Sequence, residues 1–120
     1  LTTLIHSTAY VSRSSTIKEG CFIGANCYLG PNTKIGACSI INTNSIIEHD
    51  SLVKDFTNIS PNVVICGNVS IGSRCFLGVS STVIENLFIA DNVLIAAGSL
   101  VIKNIKLKYT KEKGVPSKPW

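Results

Sequence analysis

The sequence predicts an all-β fold built as a parallel β-helix of hexapeptide repeats, and three observations predict it. The first is a strict period of six. From Ile5 to Val101 every sixth residue is Ile, Val or Leu, seventeen hexads in a row without an insertion. A helix repeats every 3.6 residues and an ordinary strand every two, so neither gives this period. A hexapeptide repeat is the mark of a β-helix. The second is a companion phase four residues later, mostly small: Ala9, Ser15, Cys21, Cys27, Thr33, Ser39, Ser45, Ser51 and onward. The third is the filling of turn positions by Gly, Asn and Asp, among them Gly24, Asn26, Gly30, Asn32, Gly36, Gly72, Gly78, Asp91 and Asn92. Such residues tolerate the left-handed backbone that tight corners need.

Three hexads close one triangular coil of eighteen residues, which gives nearly six coils. The aliphatics then stack in three columns. One runs Ile5, Ile23, Ile41, Ile59, Leu77, Ile95; the next Val11, Leu29, Ile47, Ile65, Val83, Val101; the last Ile17, Ile35, Val53, Ile71, Ile89. Each coil covers the one below it. The period ends near Ile105, so residues 1–105 read as the β-helix and 106–120 as an irregular tail that caps the last coil. A last coil left bare would be an open sheet edge.

Composition narrows the function classes. No apolar run approaches the ~18 residues of a membrane helix. The chain has no Met, so Leu1 reads as the start of a fragment rather than a native start. Five cysteines, Cys21, Cys27, Cys38, Cys66 and Cys75, show no CxxC pair and no zinc-ligand spacing, and read as reduced, small core residues of a cytoplasmic protein. Six of the eleven basic residues are Lys103, Lys106, Lys108, Lys111, Lys113 and Lys118. That tail is either a solvated segment or a site for a polyphosphate. Nucleic acid is disfavoured, because no aromatic residues are interleaved as stacking platforms.

One stretch carries chemistry. Glu48-His49-Asp50 holds one of only two histidines, with a carboxylate on either side. An imidazole can accept a proton from an attacking amine or hydroxyl, and a carboxylate can fix its tautomer. The bland alternative is a surface ion pair. Coil arithmetic stacks Gly67 over His49, where a glycine leaves room and a backbone N–H can face a reacting carbonyl. With His6 and His49 alone, the chain lacks the three histidine ligands of a γ-class carbonic anhydrase, which shares this fold; no metal is expected.

The segments Asn42-Thr43-Asn44-Ser45-Ile46-Ile47-Glu48-His49-Asp50, Gly67-Asn68-Val69-Ser70-Ile71-Gly72 and Gly114-Val115-Pro116-Ser117-Lys118 resemble the sugar acetyltransferases of the NeuD/PglD family. Cys75 to Gly78 and Asn86 to Asp91 are more similar to its amino-sugar branch. The resemblance covers essentially the whole chain. It implies a left-handed β-helix, acetyl-CoA as co-substrate, and a homotrimer with the CoA groove between prisms. It also implies a sugar acceptor: the amine of a UDP-linked amino sugar, or a sialic acid hydroxyl. A Rossmann-like N-terminal domain, present in that family, is missing from this sequence. His49 is then the general base, Asp50 its orienting carboxylate, and Glu48 the second choice. Asn42 is implied at the acceptor. Asn58 stands where the family has a histidine that touches the acetyl group; it can donate a hydrogen bond but cannot titrate. Cofactor contacts are implied for Gly67, Val79 and Ala97, with Lys103, Gly114 and Lys118 toward the phosphates. The alternatives are a non-catalytic scaffold module and the β-helix of a nucleotidyltransferase.

Overall fold

A computed structural model describes residues 1–120, and every hexad becomes a two-residue strand. Seventeen such strands run from Leu4–Ile5 to Leu100–Val101, all paired in parallel, and there is no helix. Each strand pairs with the one eighteen residues on, as in Ile5↔Ile23 and Ile47↔Ile65. Three sheets result, forming the three faces of a prism. The first starts at Leu4–Ile5, the second at Tyr10–Val11 and the third at Thr16–Ile17. The fold class read from the sequence is the one observed.

The three predicted columns are the core. Ile23, Leu29, Ile41, Ile47, Ile59, Ile65, Ile71, Leu77, Ile89 and Ile95 are completely buried. Each such side chain contributes about 1.5–3 kcal/mol on burial. Ile5, in the first coil described, is half exposed.

The companion phase does more than fill space. Its hydroxyls and thiols donate to a carbonyl fifteen residues on: Ser39 Oγ to Lys54 O and Ser51 Oγ to Cys66 O, both at 2.8 Å, and Thr57 Oγ1 to Gly72 O at 2.7 Å. They also accept from the N–H eighteen residues on, as Ser51 does from Val69 at 3.0 Å. Each coil is thereby pinned to the next at its corners. Ser81 Oγ is the one buried hydroxyl without a partner.

The corners correct one expectation. The left-handed residues fall every six positions: Asn26, Asn32, Cys38, Asn44, Asp50, Phe56, Asn62, Asn68, Arg74, Ser80, Asn86 and Asn92, with Gly20 and Gly98. Gly24, Gly30, Gly36, Gly72 and Gly78 do not share that φ. They are glycines because the next coil passes too close: a Cβ on Gly72 would lie 2.6 Å from Ala90, and one on Gly78 would lie 2.5 Å from the Ala97 N. Cysteine is likewise not uniformly a core residue. Cys21, Cys27 and Cys75 are buried, whereas Cys38 and Cys66 sit half-buried at corners.

The end of the chain builds strands of its own. Ile105 bridges to Ile89, sixteen residues back rather than eighteen, and closes a shorter last turn. Lys111–Gly114 then pairs in parallel with Leu94–Ile95 and covers the upper edge of the first sheet. Ser117–Pro119 returns antiparallel to it. Lys111 and Lys113 lie over the Trp120 ring, and Ser117 Oγ donates to the buried Glu112 at 2.7 Å.

Candidate active site

His49 occupies the corner between the second and third sheets, immediately after the strand Ile46–Ile47. Its Nδ1 is 2.9 Å from Asp50 Oδ2. Asp50 is the left-handed corner residue (φ 62°), and that conformation brings its carboxylate beside the preceding imidazole. The hydrogen bond to His49 is the main reason the Asp50 carboxyl is held below the usual range, with a further one from Asn32 in the coil beneath. With Nδ1 committed to Asp50, Nε2 is the nitrogen left to react.

Gly67 decides where Nε2 points. It stacks one coil above, as coil arithmetic predicts, and a Cβ there would lie 2.5 Å from His49 Nε2 and 2.6 Å from Cε1. The ring therefore lies against the glycine backbone, in space any other residue would fill. The Gly67 N–H makes no hydrogen bond within the chain, like every residue of that corner column. Around the ring is an open groove of about 420 Å³, lined by Glu48, His49, Cys66, Gly67, Glu85 and Asn86.

Three lining residues, Cys66, Glu85 and Asn86, are not among the site residues read from the sequence. The signal was available. Adding eighteen to Glu48 gives Cys66; adding thirty-six to His49 and Asp50 gives Glu85 and Asn86. The Cys66 thiol is pushed up by burial, then by the Glu85 and Glu48 carboxylates, so it stays protonated and does not compete as a nucleophile.

The other predicted residues divide between places. Lys103 tops the same corner column as His49, Gly67 and Glu85. It shares a groove of about 340 Å³ with Lys118 from the tail, so the two lysines do come together. Gly114 does not line that groove, and its N–H already donates to Ser99 Oγ at 3.2 Å. Val79 and Ala97 stack on successive coils of a different corner, between the first and second sheets; their N–H groups are unpartnered within the chain. Asn42 is on that corner too. Its Oδ1 accepts from the Thr43 N–H at 2.9 Å, which stabilises the turn and leaves the amide nitrogen as a donor. Asn58 faces outward on the first sheet, between Ile40 and Phe76. Within one protomer, Asn42, Asn58, Val79 and Ala97 are thus not brought to His49. His6 is at the first coil, where its Nδ1 accepts from the Thr8 N–H at 3.1 Å. No three His, Cys, Asp or Glu side chains cluster closely enough to hold a metal ion, and no helix is long and apolar enough to cross a membrane.

The family model described as bacterial transferase hexapeptide (six repeats) matches residues 14–49. A mutant of GDP-perosamine N-acetyltransferase from Caulobacter crescentus, solved with CoA and GDP-perosamine, superposes with a TM-score of 0.98 at 31% identity, over 100% of this chain and 57% of that one. The acetyltransferase domain of PglB from Neisseria gonorrhoeae FA1090, solved with acetyl coenzyme A, superposes with a TM-score of 0.95 at 28% identity, over 98% of this chain and 57% of that one. The chain resembles the NeuD/PglD-type sugar acetyltransferases. It spans little more than half the length of these structural neighbours. Among curated proteins, bifunctional protein GlmU from Latilactobacillus sakei is 48% identical over 44 residues, 37% of this chain and 9% of that protein.

Proposed function

We propose that this chain transfers acetyl from acetyl-CoA to a sugar, with the amine of a nucleotide-linked amino sugar as the favoured acceptor and a sialic acid hydroxyl as the other. The observation that carries the reading is the His49 pair: Nδ1 on Asp50, Nε2 against Gly67, in an open groove. In the proposed reaction the acceptor amine attacks the thioester carbonyl carbon. His49 Nε2 takes the proton the amine loses, and the C–S bond breaks to release CoA. Asp50 supports the imidazolium that forms. The free Gly67 N–H suits the oxyanion, and the free N–H groups of Val79 and Ala97 suit backbone contacts to CoA. Lys103 and Lys118 suit its phosphates. The two neighbours solved with CoA and acetyl coenzyme A support the co-substrate.

The division of residues between corners favours a site completed by a second copy. Outward residues of the first sheet are mostly apolar, with Leu4, Phe22, Ile40 and Phe76 exposed and Asn58 the polar exception. The second sheet presents Tyr10 stacked on Tyr28 at 5.3 Å. The third presents Thr16, Lys34, Leu52, Ser70 and Phe88. Two apolar faces and one more polar face suit a C3 homotrimer, in which each copy uses two faces. Asn42, Asn58, Val79 and Ala97 would then reach His49 from a neighbouring copy. In this reading residues 1–105 are the catalytic β-helix and 106–120 its cap, and five free thiols suit the cytoplasm.

The test is acetyl-CoA turnover, followed with a thiol reagent, across nucleotide-linked amino sugars and sialic acid, alongside light scattering. Turnover on an amino sugar by a species of three protomers is expected. No turnover on any acceptor, or a monomer at working concentration, would contradict the reading.

A further inference from the structure

The hairpin at the end of the chain gathers residues that the linear sequence keeps apart. In the strand Lys111–Gly114, Lys111 is in register with the outward Leu94, and Glu112 with the inward Ile95. Alternation along a strand then turns Lys113 outward as well. The return strand sets Lys118 opposite Lys113. The Trp120 N–H donates to the Lys111 carbonyl at 2.9 Å, which places Trp120 opposite Lys111. One face of the hairpin thus carries three lysines and the only tryptophan of the chain. Lys113 Nζ lies 5.2 Å from the centre of the Trp120 ring, and Lys111 Nζ 6.0 Å.

This face is open and positive. Trp120 is 60% exposed, and Lys111, Lys113 and Lys118 are exposed beside it. Glu112 is the single acid of the hairpin, buried on the opposite side, where it accepts from Ser117 Oγ. Counted as fully ionised, it still leaves the hairpin positive against three lysines. None of the three makes an ion pair. A flat aromatic surface among ammonium groups suits a ligand that joins a π system to phosphates: the ring stacks on the base, and the ammoniums meet the phosphate oxygens.

Place selects the nucleotide. Val79 follows the strand Phe76–Leu77, and Ala97 follows Leu94–Ile95. The hairpin strand is the next rung of that same sheet. The rungs lie about 4.8 Å apart. The unpartnered N–H groups of Val79 and Ala97 therefore lead up one corner to the lysines and the indole. Lys118 also lines the groove of about 340 Å³ that holds Lys103. Of the two nucleotides in the proposed reaction, CoA has a third phosphate, on its ribose, beyond the diphosphate that both share. It is the better match to this many cations.

We propose that Trp120 stacks on the adenine of CoA, with Lys111, Lys113 and Lys118 holding the phosphates around it. This rests on the acetyltransferase reading for the identity of the nucleotide, but not for the presence of a nucleotide site.

Because Trp120 is the only indole, the intrinsic fluorescence of the unmutated chain reports this site alone. The probes are CoA, adenosine 3′,5′-diphosphate, pantetheine, which has no nucleotide, and uridine diphosphate, which stands for a nucleotide-linked acceptor. Calorimetry on the same samples records binding independently. Saturable quenching by CoA and by adenosine 3′,5′-diphosphate, with none by pantetheine, is expected. Binding of CoA without quenching overturns the proposal and leaves the acetyltransferase reading standing. Tighter quenching by uridine diphosphate than by adenosine 3′,5′-diphosphate does the same. Quenching by both adenine compounds in a chain that turns over no acceptor keeps the nucleotide site while the acetyltransferase reading fails; no binding of either ends both. In kinetics, Trp120→Ala is expected to raise KM for acetyl-CoA about tenfold, as for one lost stacked base. KM for acetyl-pantetheine should hold, and Trp120→Phe should recover most of the loss. An equal rise for both donors would make Trp120 a support of the hairpin only and overturn the proposal.

Discussion

Two corners of this prism start from the same hexad and end in different chemistry. At the corner between the first and second sheets, the Asn42 side chain folds back onto its own turn and bonds the next N–H. The coil above places Ser60 there, a buried residue whose carbonyl serves the Ser45 hydroxyl. At the next corner, the His49 side chain leans upward onto Gly67 and is more than half exposed. The difference lies less in the functional residue than in the one stacked over it. A glycine opens a notch, and the imidazole occupies it with one nitrogen fixed and one free.

The comparison is broken most severely at that glycine. Gly67→Ala places a methyl 2.5 Å from Nε2, so the ring must leave its position. A misplaced base is expected to lower kcat/KM by ~10²-fold or more. The fold should be retained, because Gly67 is not a left-handed residue and its N–H pairs with nothing. A circular-dichroism melt alongside the kinetics separates the two effects. Asp50→Asn keeps the ring in place and removes the charge beside Nδ1, so its loss should fall below the ~10² expected for a missing base.

The pH behaviour sharpens the same corner. The Asp50 carboxyl is held low by its bond to His49, so its folded pKa lies below the unfolded one. Its contribution to stability is present above the ordinary carboxylate range and is lost as pH falls through the depressed value. Asp50 is therefore ionised throughout the neutral range. An acid limb of the rate profile near neutrality must come from another group, and it should persist in Asp50→Asn. Disappearance of that limb in Asp50→Asn would assign it to the wrong partner.

Smaller effects belong to the residues farther away. Lys103→Ala with Lys118→Ala should raise KM for acetyl-CoA several-fold, more at low salt than at high salt, because exposed charges are screened. An unchanged KM would return the tail to a solvated segment. Asn42→Ala should be the mildest change: about 1 kcal/mol of stability for the lost turn bond, read as a small drop in Tm.

How legible all this was in the sequence follows from what the repeat does and does not encode. The columns from Ile5 to Val101 were fully legible, because one inward aliphatic per hexad is the whole requirement of each strand. Gly67 over His49 was legible by the same arithmetic. Cys66 and Glu85 were as legible but need the count carried beyond a single residue and a single coil. The reason for Gly36 and Gly72 was not legible, since local sequence cannot distinguish a left-handed residue from one crowded by the coil above. The tail hairpin was not legible either: Lys111–Gly114 carries no periodicity and forms by pairing with an edge that only the finished prism presents. Nor could a linear reading separate Asn42 from His49, seven residues away and one corner apart.

The most direct test of the central claim is kcat/KM of His49→Ala, measured with the assembly state and acetyl-CoA affinity of the same sample. The account predicts a fall of ~10²–10⁴-fold, the range for removing a positioned base, with the assembly and the affinity unchanged, because His49 points out of the prism and touches none of the buried columns. Near-native turnover by an intact assembly would contradict it and would leave the Glu48-His49-Asp50 corner as a surface ion pair on a scaffold.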